Sequence, residues 1–97
     1  MTTTKKDLVE LVSERLNLKK EEVFPVIDQV FVTMRKVLIT GHRIEIRGFG
    51  TFKVRRRKTR MARNPRTGDP VKVPSRAVPV FKPSKELRAQ VATADEG

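Results

Sequence analysis

The stretch Arg55–Asp69, RRRKTRMARNPRTGD, carries the residues in this chain best suited to chemistry with a partner. Arg55, Arg56, Arg57, Lys58, Arg60, Arg63 and Arg66 are cationic, and no acid occurs between Ile46 and Gly68. Arginine keeps its charge at any accessible pH and offers a forked set of N–H donors that fits a phosphate or carboxylate. The segment has little apolar bulk, so it cannot bury much against its own core. Asn-Pro and Thr-Gly near its far end, within NPRTGD, form a turn signal. Such a run could be a solvated face or a disordered tail. Against that, strand-like patterns bound it on both sides, and it does not lie at a terminus.

Charge is polarised along the whole chain. Residues 1–52 hold nine Lys/Arg and seven Asp/Glu, and residues 53–97 hold thirteen and four, so the halves carry +2 and +9 of the net +11. That asymmetry points to a polyanion, with nucleic acid first. An anionic membrane surface comes second, because it usually requires a basic amphipathic helix and this segment does not read as one. No segment has the apolar run of a signal peptide or a membrane span, and a soluble cytoplasmic protein is the default expectation. There is no Cys and one His, His42, which excludes disulfides, thiolate metal sites and an imidazole cluster within one chain. With no phosphate-cradling Gly loop and no carboxylate pair set for acid–base work, the expectation is a binding protein without cofactor rather than an enzyme.

The elements that must position the basic run can be read from periodicity. Thr4 and Asp7 form a T-x-x-D capping signal, with Leu8, Leu11, Val12 and Leu16 following at helical spacing and Asn17 as the stop. A second helix is predicted from about Lys20, with Glu21 and Glu22 in its first turn and Val23, Ile27, Val30, Phe31, Met34 and Leu38 on one stripe. Pro25 conflicts with it, so the helix either kinks there or starts nearer Phe24. Thr40-Gly41 ends it, and His42 reads as a residue just past that cap.

The period then changes to two. Ile44 and Ile46 face one way and Arg43, Glu45 and Arg47 the other; Gly48 and Gly50 bracket a turn; Phe52 and Val54 continue a second strand. Apolar alternation returns at Val71 and Val73, then at Val78, Val80 and Phe81, on an expected third strand. Ser84 can cap a short last helix in which Leu87 and Val91 share a face, leaving Ala92–Gly97 frayed. The expected class is α+β in the order ααβββα, as a single domain spanning the chain. Its helical region covers residues 1–41, its sheet and arm 42–83, and its C-terminal helix and tail 84–97. A chain this short builds a thin core, and association with a second copy is expected.

Between these elements the basic run becomes the outer half of a long hairpin, an arm over about residues 55–72. Ten residues from Arg55 to Asn64 would reach roughly 30 Å at about 3.3 Å each. A two-stranded ribbon has no core of its own and gains order from what it grips. Arg in such a ribbon suits the narrow minor groove of duplex DNA. Pro65, at the tip, is either an ordinary turn proline or a rigid apolar wedge between base pairs. With no Tyr or Trp, a platform for stacking single-stranded bases is poorly supplied. Phe49 and Phe52 therefore read as core or dimer contacts, Met34 as core, and Met61 as an apolar contact on the arm.

GFGTFKV, then RNPRTGD, then VPVFKPSKELR together resemble the HU/integration host factor family of bacterial DNA-bending proteins, over nearly the whole chain. That family is a standing example of minor-groove binding with inserted apolar wedges. The resemblance implies an intertwined dimer, with a homodimer as the default and a heterodimer with a paralogous subunit left open. It implies that double-stranded DNA is the partner, in the bacterial nucleoid, bound with little sequence preference. Arg57, Arg60 and Arg63 match the arm residues that contact groove and backbone, Asn64 and Pro65 match the intercalating tip, and Lys53, Lys82 and Lys85 match phosphate contacts of the saddle and flanking helix. Arg47, Arg55, Arg56, Lys58, Arg66, Lys72 and Arg76 complete the expected DNA-binding set. RIEIRGFG and FKPSKELR are similar to the beta subunit of integration host factor, which would make the chain half of a sequence-selective heterodimer, with Glu45 orienting Arg47; an ordinary exposed salt bridge is the plain alternative. Ala62 departs from the Gly common before Arg-Asn-Pro, so the bend of the arm near its tip is open. An RNA-binding accessory protein is the remaining alternative, although duplex RNA offers a different groove.

Overall fold

The computed structural model describes residues 1–96. The chain folds as two compact units, Met1–Lys36 and Val37–Gly97. The first contains helix α1 (Lys5–Leu16) and most of α2 (Lys20–Ile39).

Both ends of α1 are set by its sequence. The Thr4 hydroxyl accepts the N–H of Asp7 and the Asp7 carboxylate accepts the N–H of Thr4, a complete capping box. Asn17 adopts the left-handed conformation at φ 55, and the Leu18 N–H reaches the Ser13 carbonyl at 2.9 Å. Helix α2 starts at Lys20 and continues through Pro25. Of the two readings of Pro25, a start nearer Phe24 is therefore not adopted. The proline lies early in the helix, where its missing N–H forfeits only the bond to the Glu21 carbonyl.

Lys5 links the two helices. Its ammonium bonds Asp28 at 2.7 Å and lies 5.3 Å from the centre of the Phe24 ring. The buried positions are Val9, Ser13 and Val23 rather than the expected leucines. Leu11, Leu16, Val26 and Val30 stay at least half exposed. A single chain thus leaves most of its helical apolar stripes open.

The second unit holds a three-stranded antiparallel sheet of β1 (Ile44–Ile46), β2 (Gly50–Arg57) and β5 (Arg76–Pro83), in the order β1-β2-β5. A separate two-stranded ribbon pairs β3 (Arg60–Arg63) with β4 (Pro70–Val73). The end of α2 is closed by Gly41 at φ +86, and the Thr40 hydroxyl lies 2.8 Å from His42 Nδ1. A four-residue turn joins β1 to β2, with Gly48 at φ +79 in its third position and the Phe49 N–H on the Ile46 carbonyl. Gly50 is required by close approach: a Cβ there would lie 2.5 Å from the Lys82 carbonyl and 2.6 Å from the Phe81 ring. Phe49, Phe52 and Phe81 cluster with ring centres 4.7–6.4 Å apart, so these phenylalanines pack on one another.

Pro79 and Pro83 both lie on β5, an edge strand, where a missing N–H costs no ladder bond. Ser84 caps the last helix, α3 (Lys85–Glu96), its hydroxyl accepting the Leu87 N–H at 3.1 Å. That helix is longer than expected. In place of a frayed end, its hydrogen-bonded turns carry through the alanine-rich Ala92–Glu96, because alanine favours helix strongly; Gly97 lies outside the described residues. No helix among the described residues is long and apolar enough to cross a membrane.

Candidate nucleic-acid interface

The basic run enters the structure within a jointed finger rather than one continuous hairpin. Beyond Phe52, β2 has only β5 as a neighbour, so Lys53–Arg57 with Arg76–Val80 forms an inner two-stranded segment. The outer segment is β3 with β4. Both strands break at the same level, at Lys58-Thr59 and at Pro74-Ser75. Pro74 supplies the physical reason, since it has no N–H for a ladder. Side chains take over there: the Ser75 N–H donates to the Thr59 hydroxyl at 3.2 Å, and Arg56 reaches the Ser75 hydroxyl at 3.5 Å. The three-stranded antiparallel sheet and a two-stranded ribbon beyond it are both present, as expected; the break divides the long hairpin into an inner and an outer piece, so five strands stand where the order ααβββα counts three.

Register sorts the cations by face. In the inner segment Lys53 pairs with Val80, Arg55 with Val78 and Arg57 with Arg76, while Thr51 pairs with Lys82. Directly opposed residues share a face and successive residues alternate. Lys53, Arg55, Arg57, Arg76 and Lys82 therefore gather on one face, with Val78 and Val80 between them. Val78 and Val80 are half-buried on this face, and period two puts Phe81 on the other side. Arg56, opposite Ala77, lies on that second face, with Phe52, Val54, Pro79 and Phe81. It is separated from the other inner arginines and engaged at the joint.

In the outer segment Arg60 pairs with Val73 and Ala62 with Val71 on one face; Met61 pairs with Lys72 and Arg63 with Pro70 on the other. Arg60 and Arg63 thus project to opposite sides. Lys58 lies in the joint, Arg66 in the tip, and Lys85 opens α3. At the tip, the Asn64 N–H donates to the Asp69 carbonyl and the Gly68 N–H to the Asn64 carbonyl, both at 2.8 Å, with Gly68 at φ +76. Pro65 is exposed, and Ala62 keeps a negative φ within regular β3, so no Gly is needed there.

Electrostatically the site is uncompensated. The ion pairs among the described residues are Lys5–Asp28 and Lys20–Glu10, neither on the finger. Arg57 directly opposite Arg76 sets two like charges side by side, an arrangement that costs stability in the free protein. Glu45 lies on β1 opposite Thr51, and Arg47 falls in the turn that follows; no ion pair joins them among the described residues, so the orienting salt bridge expected there is not formed. Among the described residues no three metal-ligating side chains cluster. Thr59, Ser75 and Thr67 escaped sequence reasoning because they carry no charge, although Pro74 inside a strand pattern announces the break that Thr59 and Ser75 bridge.

Three helices, an antiparallel sheet and a basic two-stranded ribbon closed by an Asn-Pro turn define a class of small α+β DNA-binding folds. Residues 3–92 match the family model described as bacterial DNA-binding protein. Integration host factor subunit beta of Marinobacter nauticus is 47% identical over 89 residues, 91% of each chain. Integration host factor subunit alpha of Hydrogenovibrio crunogenus is 38% identical over 94% of each. Among solved structures, an HU protein from Anabaena in a cocrystal with DNA superposes with TM-score 0.84 at 32% identity, over 92% of this chain and 97% of that one. The chain belongs to the bacterial DNA-binding protein family, that of HU and the integration host factor subunits.

Proposed function

We propose that the chain is an architectural DNA-binding protein that binds duplex DNA through the minor groove and bends it, with little sequence preference, as one functional domain. Lys53, Arg55, Arg57, Arg76 and Lys82 neutralise phosphates from the sheet face, and Lys85 does so from the start of α3. Arg60 and Arg63, with Lys58, Arg66 and Lys72, carry the outer ribbon along the groove, and Pro65 enters the base stack and kinks it. Bending a site of this size costs a few kcal/mol, offset by the added wrapped contact. The role is binding rather than catalysis, in the cytoplasm on the bacterial nucleoid.

The observation that carries this reading is the cationic face of the inner segment, with Arg57 and Arg76 opposed, no acid within that segment, and no ion pair on the finger among the described residues. A polyanion supplies what the protein withholds.

The working unit is a dimer. Exposed Val26 and Val30 line an open apolar groove on α2 with Pro25 and Met34, and a second copy offers the matching surface. A homodimer is the simpler form. The similarity to both integration host factor subunits favours a second reading, a heterodimer that selects sequence, with Arg47 exposed in its turn as the candidate reader.

Binding of the purified protein to random, kinked and consensus-bearing duplexes, against duplex RNA as competitor, tests both. Tight binding of the lone protein to all three DNAs, weakening by about 0.9 log unit per log unit of salt for each phosphate neutralised, is expected. A complex indifferent to salt overturns the mechanism, and binding to the consensus alone turns the choice to the selective subunit. Pro65→Ala is expected to keep most of the affinity while energy transfer between labelled duplex ends reports a smaller bend.

A further inference from the structure

We propose that Asn64 acts on the wedge and not on the nucleic acid: it is a positioning residue that fixes the direction of Pro65 in a tip already closed before DNA arrives. This rests on the reading that Pro65 enters the base stack. Asn64 Oδ1 accepts the N–H of Arg66 at 2.8 Å, closing the side chain of one residue on the backbone two positions later with Pro65 at the corner. The same residue uses its N–H on the Asp69 carbonyl and its own carbonyl on the Gly68 N–H. Asn64 is half-buried, whereas Pro65 beside it is exposed.

Two further bonds brace the loop. The Arg63 guanidinium donates to the Gly68 carbonyl at 3.1 Å, and the Thr67 hydroxyl accepts the Asp69 N–H at 3.2 Å. The side-chain oxygen of Asn64 is therefore committed within the tip. Proline fixes its own φ, and the Asn64 closure fixes the peptide on either side of it. A wedge held in this way loses little conformational freedom on insertion. Asn64 therefore governs bend more than affinity.

Full-length wild type, Asn64→Ala and Asn64→Asp separate the possibilities. Aspartate keeps an oxygen acceptor for the Arg66 N–H but adds a charge that phosphate repels; alanine removes the acceptor and adds nothing. The bend, read by energy transfer across a short duplex, is expected to follow the acceptor: near wild type in Asn64→Asp and clearly reduced in Asn64→Ala. Affinity is expected to follow charge, within about threefold of wild type for Asn64→Ala and weaker by about tenfold for Asn64→Asp. In the protein without DNA, the temperature coefficient of the Arg66 amide proton should mark a hydrogen bond in wild type and Asn64→Asp and a solvent-exposed amide in Asn64→Ala. An Asn64→Asp protein that bends no better than Asn64→Ala overturns the proposal, as does an Arg66 amide open to solvent in wild type. A wild type that binds without bending refutes the wedge itself, and the amide result still judges Asn64.

Discussion

Thr4 and Asp7 close the start of α1 on each other, and the closure has a pH signature. The Thr4 N–H, 2.9 Å from Asp7 Oδ2, holds the carboxyl below its usual value of 3.8, helped by the Thr4 side chain and the charge of Lys6 and opposed by slight desolvation. A carboxyl depressed in the folded state contributes stability that is present above pH 3.8 and lost as pH falls through the lower folded value. Asp7→Asn is expected to be less stable than wild type at neutral pH and to lose less on acidification below that point. Thermal melts by circular dichroism from about pH 6 down to about pH 2, at roughly constant ionic strength, check this; parallel curves for the two proteins would contradict it. At this scale the sequence is informative where one residue acts on its own backbone. Thr4, Asp7, Asn17, Gly41 and Ser84 all stand where their types require. It misleads where a contact needs a third dimension: Val9 and Ser13 are buried in place of the leucines beside them, and no ion pair joins Glu45 to Arg47 among the described residues although they are two positions apart.

At the level of elements, the opposition of Arg57 and Arg76 ties fold stability to binding. Two guanidinium groups across an antiparallel pair repel, and an acid in one position would attract the other by roughly 0.2–1 kcal/mol. Arg76→Glu is therefore expected to raise the stability of the free protein slightly and to weaken DNA binding by more than about tenfold at low salt, because it removes one cation from the face and adds an anion to it. Chemical denaturation and a binding titration on the same preparation make the comparison; a variant that gains in both, or loses in both, would show that the inner segment does not meet phosphate through this face. Alternation foretold the existence of the finger and its basic character. It did not foretell the joint, since counting apolar residues treats Val71–Val73 and Val78–Val80 as one strand. Pro74 is the residue that divides them, and only the register shows Thr59 and Ser75 replacing the lost ladder bonds. The register likewise separates Arg56 from Arg55 and Arg57, which composition cannot do.

For the whole molecule, the question is what covers the apolar surface that one chain leaves bare. Val9 and Val23 are the buried hydrophobic residues, while Leu11, Leu16, Val26, Val30 and Ile39 are half exposed or more. A core that small cannot offset the conformational entropy of ordering nearly a hundred residues. In the proposed dimer a second copy covers that surface, which links folding to association and stability to protein concentration. The thermal midpoint is expected to fall by roughly 3–5 °C for each tenfold dilution, the shift that about 1.4 kcal/mol of association free energy makes in an assembly of two such chains. Val30→Asp places a charge in the open groove on α2. In a lone folded chain that position is already half in water and the change would be mild. In a dimer it buries an unpaired carboxylate, so Val30→Asp is expected to sediment as monomer and to melt at a lower temperature than wild type at every concentration. A midpoint constant across a hundredfold dilution, with Val30→Asp as stable as wild type, would mean that one chain suffices.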